Sequence, residues 1–197
     1  MLRCIMVRVR RRHEPGRKNT KMPDCAVSHI LMPADLPADA YALRMAETLH
    51  RCGYEPVAHR LAPPRRAVDG SATLAADLLL ERIPDGSALL FDGGLLPTLA
   101  GLLPLDSRRL RFVALMERPG WEEAGPAAAA RRHLEQAALA LTRCVAVPDG
   151  DAARALAPLG LPADRLVVAP PDEAGAAMLL ARLQGPGTAG SAPADKA

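Results

Sequence analysis

The sequence predicts an α/β protein: one doubly wound, mostly parallel, six-stranded Rossmann-like sheet with helices on both faces. Three observations lead there. Ala88–Phe91 and Arg111–Met116 are short apolar runs without polar alternation, which is how strands buried on both faces read. Each run stops in a charged or Gly/Pro loop, Asp92-Gly93-Gly94 and Glu117-Arg118-Pro119, as adjacent parallel strands do. Strand-like runs also alternate with helical periodicity along the body, an order βαβαβαβαβαβ that right-handed crossovers wind into an open sheet. In such sheets ligands sit at the carboxyl ends of the strands. Any chemistry is therefore expected around Asp92 to Gly94 and Glu117 to Pro119.

Ala26 to Met32 reads as the first strand, ended by Pro33. Ala38 to Cys52 is an amphipathic helix with Tyr41, Met45 and Leu49 on one stripe and Gly53 as its closing glycine. Pro56 to Leu61 is a weaker strand, and Ala62 to Gly70 a Pro/Arg loop. Ser71 can cap a helix running to Arg82, with Leu74, Leu78 and Leu79 on its apolar side. The two central runs follow, separated by a short Leu-rich segment. A helix from about Pro126 to Leu141 starts well, since proline suits a first turn. Cys144–Val147 is the next strand. Pro148-Asp149-Gly150 turns into a helix from Asp151 to Leu159, Leu166–Ala169 is the last strand, and Glu173 to Leu183 a final helix. No internal repeat is found.

With 49% hydrophobic residues, the 197-residue chain suits one domain with a real core. Aromatics are 3%, so that core must be Leu, Val and Ala. No apolar run has the length of a transmembrane helix and no secretory signal is evident. The net charge of +3 conceals an asymmetry. Residues 1–21 hold eight Lys and Arg against the single Glu14, while the rest carries seventeen basic against twenty-one acidic side chains. A basic globular surface for specific nucleic-acid binding is not indicated. Residues 1–21 read as a basic disordered extension and 185–197 as a disordered Gly/Pro/Ala tail, leaving 22–184 as the folded domain. Met22 is an alternative start. Cys4, Cys25, Cys52 and Cys144 are scattered, which fits free thiols in a cytoplasmic protein.

The pieces from His29 to Pro171 resemble the N-terminal domain of a GT-B fold glycosyltransferase of the family-4 (group 1) type. The resemblance is carried by the first strand and loop, His29-Ile30-Leu31-Met32-Pro33-Ala34-Asp35. Arg51-Cys52-Gly53-Tyr54-Glu55-Pro56 follows at the end of the first helix, then Ile83 to Leu95 with Asp92-Gly93, then Arg109 to Glu123, and last Cys144 to Asp172. The order and spacing of these pieces carry it, rather than any one of them. It implies an acceptor-side domain that works opposite a second domain gripping a nucleotide sugar, with no other cofactor. The departures are specific. Pro37-Ala38-Asp39-Ala40-Tyr41 lacks the family's glycines. Glu117 and Arg118 stand where the family has two histidines, with Pro119 kept. Pro148-Asp149 replaces a Thr-Ser, and Pro171-Asp172 a Pro-Gly. The donor domain with its paired glutamates is not in this sequence.

The strand-end position, taken with the resemblance, makes Asp92, Gly93, Gly94, Glu117, Arg118, Pro119 and Glu123 the candidate substrate-binding residues. No catalytic residue is assigned. Each has a plainer alternative. Asp92 either bonds a sugar hydroxyl or accepts backbone N–H bonds in a turn whose glycines take positive φ. Glu117 and Arg118 either meet a charged acceptor, Glu117 as base, or form a solvated loop pair. Trp121 stacks on a sugar or packs on the domain. Asp149 is read chiefly as a helix cap. His29, His50, His59 and His133 have no zinc-type spacing, and no phosphate-loop motif occurs. The expected function is that of a truncated or split glycosyltransferase half, inactive alone, whose partners are a sugar acceptor and a chain bearing the donor domain. The alternatives are a non-catalytic relic or interaction domain of the same fold, and phosphate or membrane-surface binding through the basic arm.

Overall fold

The computed structural model describes residues 27–61 and 70–184. The extension 1–21 and the tail 185–197 lie outside the described residues. Six strands form one sheet: β1 (Val27–Pro33), β2 (Val57–Leu61), β3 (Ala88–Asp92), β4 (Arg111–Leu115), β5 (Cys144–Val147) and β6 (Leu166–Val168). Their order is β2-β1-β3-β4-β5-β6, and every pairing is parallel. The sheet is thus all-parallel, with β3 and β4 adjacent at its centre. In β3, Ala88 to Phe91 are buried, as are Phe112 to Leu115 in β4.

The pleat sorts these strands into two cores. Leu89 and Phe91, Phe112 and Ala114, Val145 and Val147 face one side, where Phe91 and Phe112 meet edge-on at 6.3 Å between ring centroids. That side is covered by α2 (Gly70–Leu80), the short helices α3 (Leu96–Leu99) and α4 (Leu103–Asp106), α5 (Ala128–Leu139) and α6 (Gly150–Leu156). Ala88 and Leu90, Val113 and Leu115, Cys144 and Ala146 face the other, under α1 (Tyr41–Arg51) and α7 (Glu173–Gln184). The sheet is therefore doubly wound.

α1 buries Tyr41, Met45 and Leu49 as its periodicity predicts. Gly53, at φ 86°, donates to the His50 carbonyl at 3.0 Å, and the Tyr54 N–H reaches Leu49 at 2.9 Å, a Schellman ending. Two expectations are corrected. In α2 the buried stripe is Ala72, Ala76 and Leu80, while Leu74 and Leu78 are exposed, and Ser71 lies inside the helix. A sequence as apolar as Leu74 to Leu80 fits several faces, and the close-packing alanines take the sheet side. Pro126 sits in a 3-10 turn, Gly125–Ala127, and α5 follows it. The Leu-rich link between β3 and β4 is the helical crossover α3–α4, its leucines Leu95, Leu96, Leu99 and Leu103 buried.

Candidate functional site

A cleft of about 500 Å³ opens at the carboxyl ends of β1, β3 and β4. Topology puts it there. After β1 the chain enters α1 on one face, and after β3 it enters α3 on the other, so the two loops diverge and leave a crevice at the switch point. The walls come from Pro37, Asp39 and Ala40 after β1, from Asp92, Gly93 and Gly94 after β3, and from Leu115 to Gly120 around the end of β4, apart from the buried Met116. Arg131 of α5 closes one side.

Six of the seven sequence-derived site residues, Asp92 to Gly94 and Glu117 to Pro119, line this one cleft. The seventh, Glu123, ends the 3-10 turn Gly120–Glu123, and its side chain lies outside those described. Asp92 forms the turn contact of the plainer reading and also lines the cleft. Its Oδ1 accepts the Gly94 N–H at 2.8 Å, which caps the short 3-10 turn Gly93–Leu95, and the residue is still half-exposed in the cleft. The glycines do not take positive φ as a simple turn predicts. Gly93 is needed for another reason: a Cβ there would collide with the Met116 sulfur. The backbone at the end of β3 thus rests directly on β4 and stays open toward the cleft. Glu117 and Arg118 are exposed on the rim, and Pro119 is buried beneath them.

Several motifs resolve into architecture. Trp121 is partly buried against the core on the side of the sheet that carries α5, and is absent from the cleft lining. Asp149 caps α6, accepting the Ala152 N–H at 2.8 Å. Asp172 does the same for α7 through the Gly175 N–H at 2.8 Å. The two aspartates that depart from the family pattern after β5 and β6 are therefore occupied as helix caps. Cys144 is buried, and burial pushes its thiol up to about 11, so it is no nucleophile near neutrality.

Gly120, Ala124 and Arg131 are cleft residues that sequence reading did not single out, and Asp39 entered it only as part of a loop that lacks glycine. For Arg131 a signal existed. Glu135 lies on the inward stripe of α5 with Ala138 and Leu139, and a carboxylate there needs a cation, which the residue four earlier supplies. Arg131 Nε donates to Glu135 Oε1, and the Gly120 N–H reaches Oε2 at 3.3 Å. Among the described residues no helix is long and apolar enough to cross a membrane. No family model and no curated protein matches this sequence.

Proposed function

We propose that the chain is the acceptor-side half of a glycosyltransferase-like protein, binding a hydroxyl-rich acceptor in the cleft at the ends of β1, β3 and β4. One observation carries the reading. The three loops that the resemblance assigns to the acceptor wall meet in one polar cleft, with Asp92 and Glu117 as acceptors for hydroxyl protons and Arg118 and Arg131 as donors. Transfer needs donor and acceptor held in line, and the grip on the donor belongs to a second domain. On this reading the chain supplies the acceptor wall, and turnover requires a donor domain set opposite it. A second reading, a non-catalytic domain that kept the fold, is favoured by Asp149 and Asp172, which serve as caps where the resemblance places a Thr-Ser and a glycine.

The test is transfer from radiolabelled nucleotide sugars to a glycoside panel, with the chain alone and with a separate chain carrying a donor domain. No transfer alone and transfer with the second chain is the expected result. Turnover by the isolated chain that disappears in Asp92→Ala would make it a complete transferase. Glycoside binding without transfer under any pairing would favour the non-catalytic reading.

A further inference from the structure

Glu135 is the only acidic side chain among the described residues with no exposed surface, and it sits directly behind the cleft wall. A carboxylate buried that completely is retained only with a matching cation and satisfied hydrogen bonds. Arg131, with 18% of its side chain exposed, supplies the cation, and the Gly120 amide supplies a further donor. The backbone is moulded on the pair: a Cβ at Gly120 would collide with both Glu135 and Arg131. The guanidinium is thus held at the wall with its charge balanced from behind, while its forked N–H groups keep their donor geometry. The other charged lining residues are Asp39, Asp92 and Glu117 against Arg118, so the cleft has no surplus of positive charge.

Resting on the reading of this cleft as the ligand site, we propose that Glu135 sets its charge selectivity: by neutralising Arg131 it turns the site away from phosphorylated ligands and toward uncharged, hydroxyl-rich ones. Carboxylates accept from hydroxyls and Arg131 donates to their oxygens, whereas a phosphate monoester carries roughly −1.5 to −2 charges into an acidic cleft. Glu135 acts as a positioning residue, through Arg131.

The test titrates the full chain with glucose and with glucose 6-phosphate, following backbone amide shifts of Gly93, Gly94 and Gly120. The wild-type chain is expected to favour glucose. Glu135→Gln keeps an acceptor for the Gly120 N–H but removes the charge behind Arg131, and should raise the affinity for glucose 6-phosphate relative to glucose by roughly tenfold. Adding Arg131→Gln to Glu135→Gln should abolish that gain. A purely structural Glu135 would weaken both ligands together and leave their ratio unchanged, which overturns the inference, as does a gain that survives in the double variant. If Glu135→Gln fails to fold, a wild-type preference for glucose 6-phosphate overturns it, and a preference for glucose that grows less marked with added salt supports it. If no cleft amide moves with either probe, the cleft is not the ligand site and the inference falls with it. Cleft shifts without the expected ratio leave the site reading standing and sink the inference alone.

Discussion

His29 and His59 stand 30 positions apart, yet their rings stack at 5.2 Å between centroids, with Nδ1 of His29 3.0 Å from Nε2 of His59. Neither reads as paired in the sequence, because only the parallel register of β1 with β2, which sets Leu31 opposite His59, brings them together. Burial lowers both imidazoles, and the neighbouring ring adds to the effect on His59, which falls to about 4. An unfolded histidine takes its proton near pH 6.5. Between there and pH 4 the unfolded chain binds protons that the fold refuses, so this stability is whole above pH 6.5 and is lost as the pH falls toward 4. Melting temperature should drop on acidification through that window, and His59→Phe should flatten the slope. An equal slope in that variant would place the acid-sensitive group elsewhere. Arg109 is the other residue whose role depends on distant chain. It donates to the Leu80 carbonyl at 2.6 Å and to Ile83 at 2.8 Å while pairing with the buried Asp106. Arg109→Met removes the cation beside the buried Asp106 and the side-chain donor to the Ile83 carbonyl, while Leu80 keeps the Ile83 N–H, and chemical denaturation should register a loss of about 2–4 kcal/mol.

At the scale of elements, strands and their ends were the most legible features. Unbroken apolar runs have one physical meaning in an α/β chain, and β3 and β4 lie where those runs put them. Helix α1 was legible because Tyr41, Met45 and Leu49 leave only one apolar face. Helix α2 was not, because the run Leu78-Leu79-Leu80 presents apolar side chains all round, and only packing distance selects Ala72 and Ala76 for the sheet. That choice predicts an asymmetry. Leu78→Gln, on the exposed face, should change stability by no more than about 0.5 kcal/mol. Ala76→Leu overfills a fully buried site and should be destabilising by about 1–3 kcal/mol. Equal effects on the two melting curves would mean that α2 is rotated about its axis. Gly175 makes a similar point at the start of α7, where a Cβ would run into the backbone of Ala169 and Pro170. Gly175→Ala should therefore lower the melting temperature, although alanine ordinarily favours a helix.

For the whole molecule, sheet order does what no local motif does. It sends α1 and α3 to opposite faces and so opens the crevice beside Asp92. The loops after β3 and β4 were legible as cleft walls because each follows a recognisable strand. Arg131 was not, because it reaches the cleft from a helix on the flank. A second, more open groove of about 710 Å³ lies at the opposite, amino ends of β3 and β4, lined by Asp77, Glu81, Asp85 and Asp106 with Arg82 and Arg109. It offers carboxylates too, which makes it a natural control. Calorimetric titration of a glycoside into the wild-type chain, Asp92→Asn and Asp77→Asn decides whether ligand binds at the switch-point cleft. Asparagine can still cap the Gly94 amide, so Asp92→Asn removes the cleft charge while keeping the turn. Binding lost in Asp92→Asn and retained in Asp77→Asn is the predicted result. Binding that survives Asp92→Asn, or that fails in Asp77→Asn instead, would contradict the account.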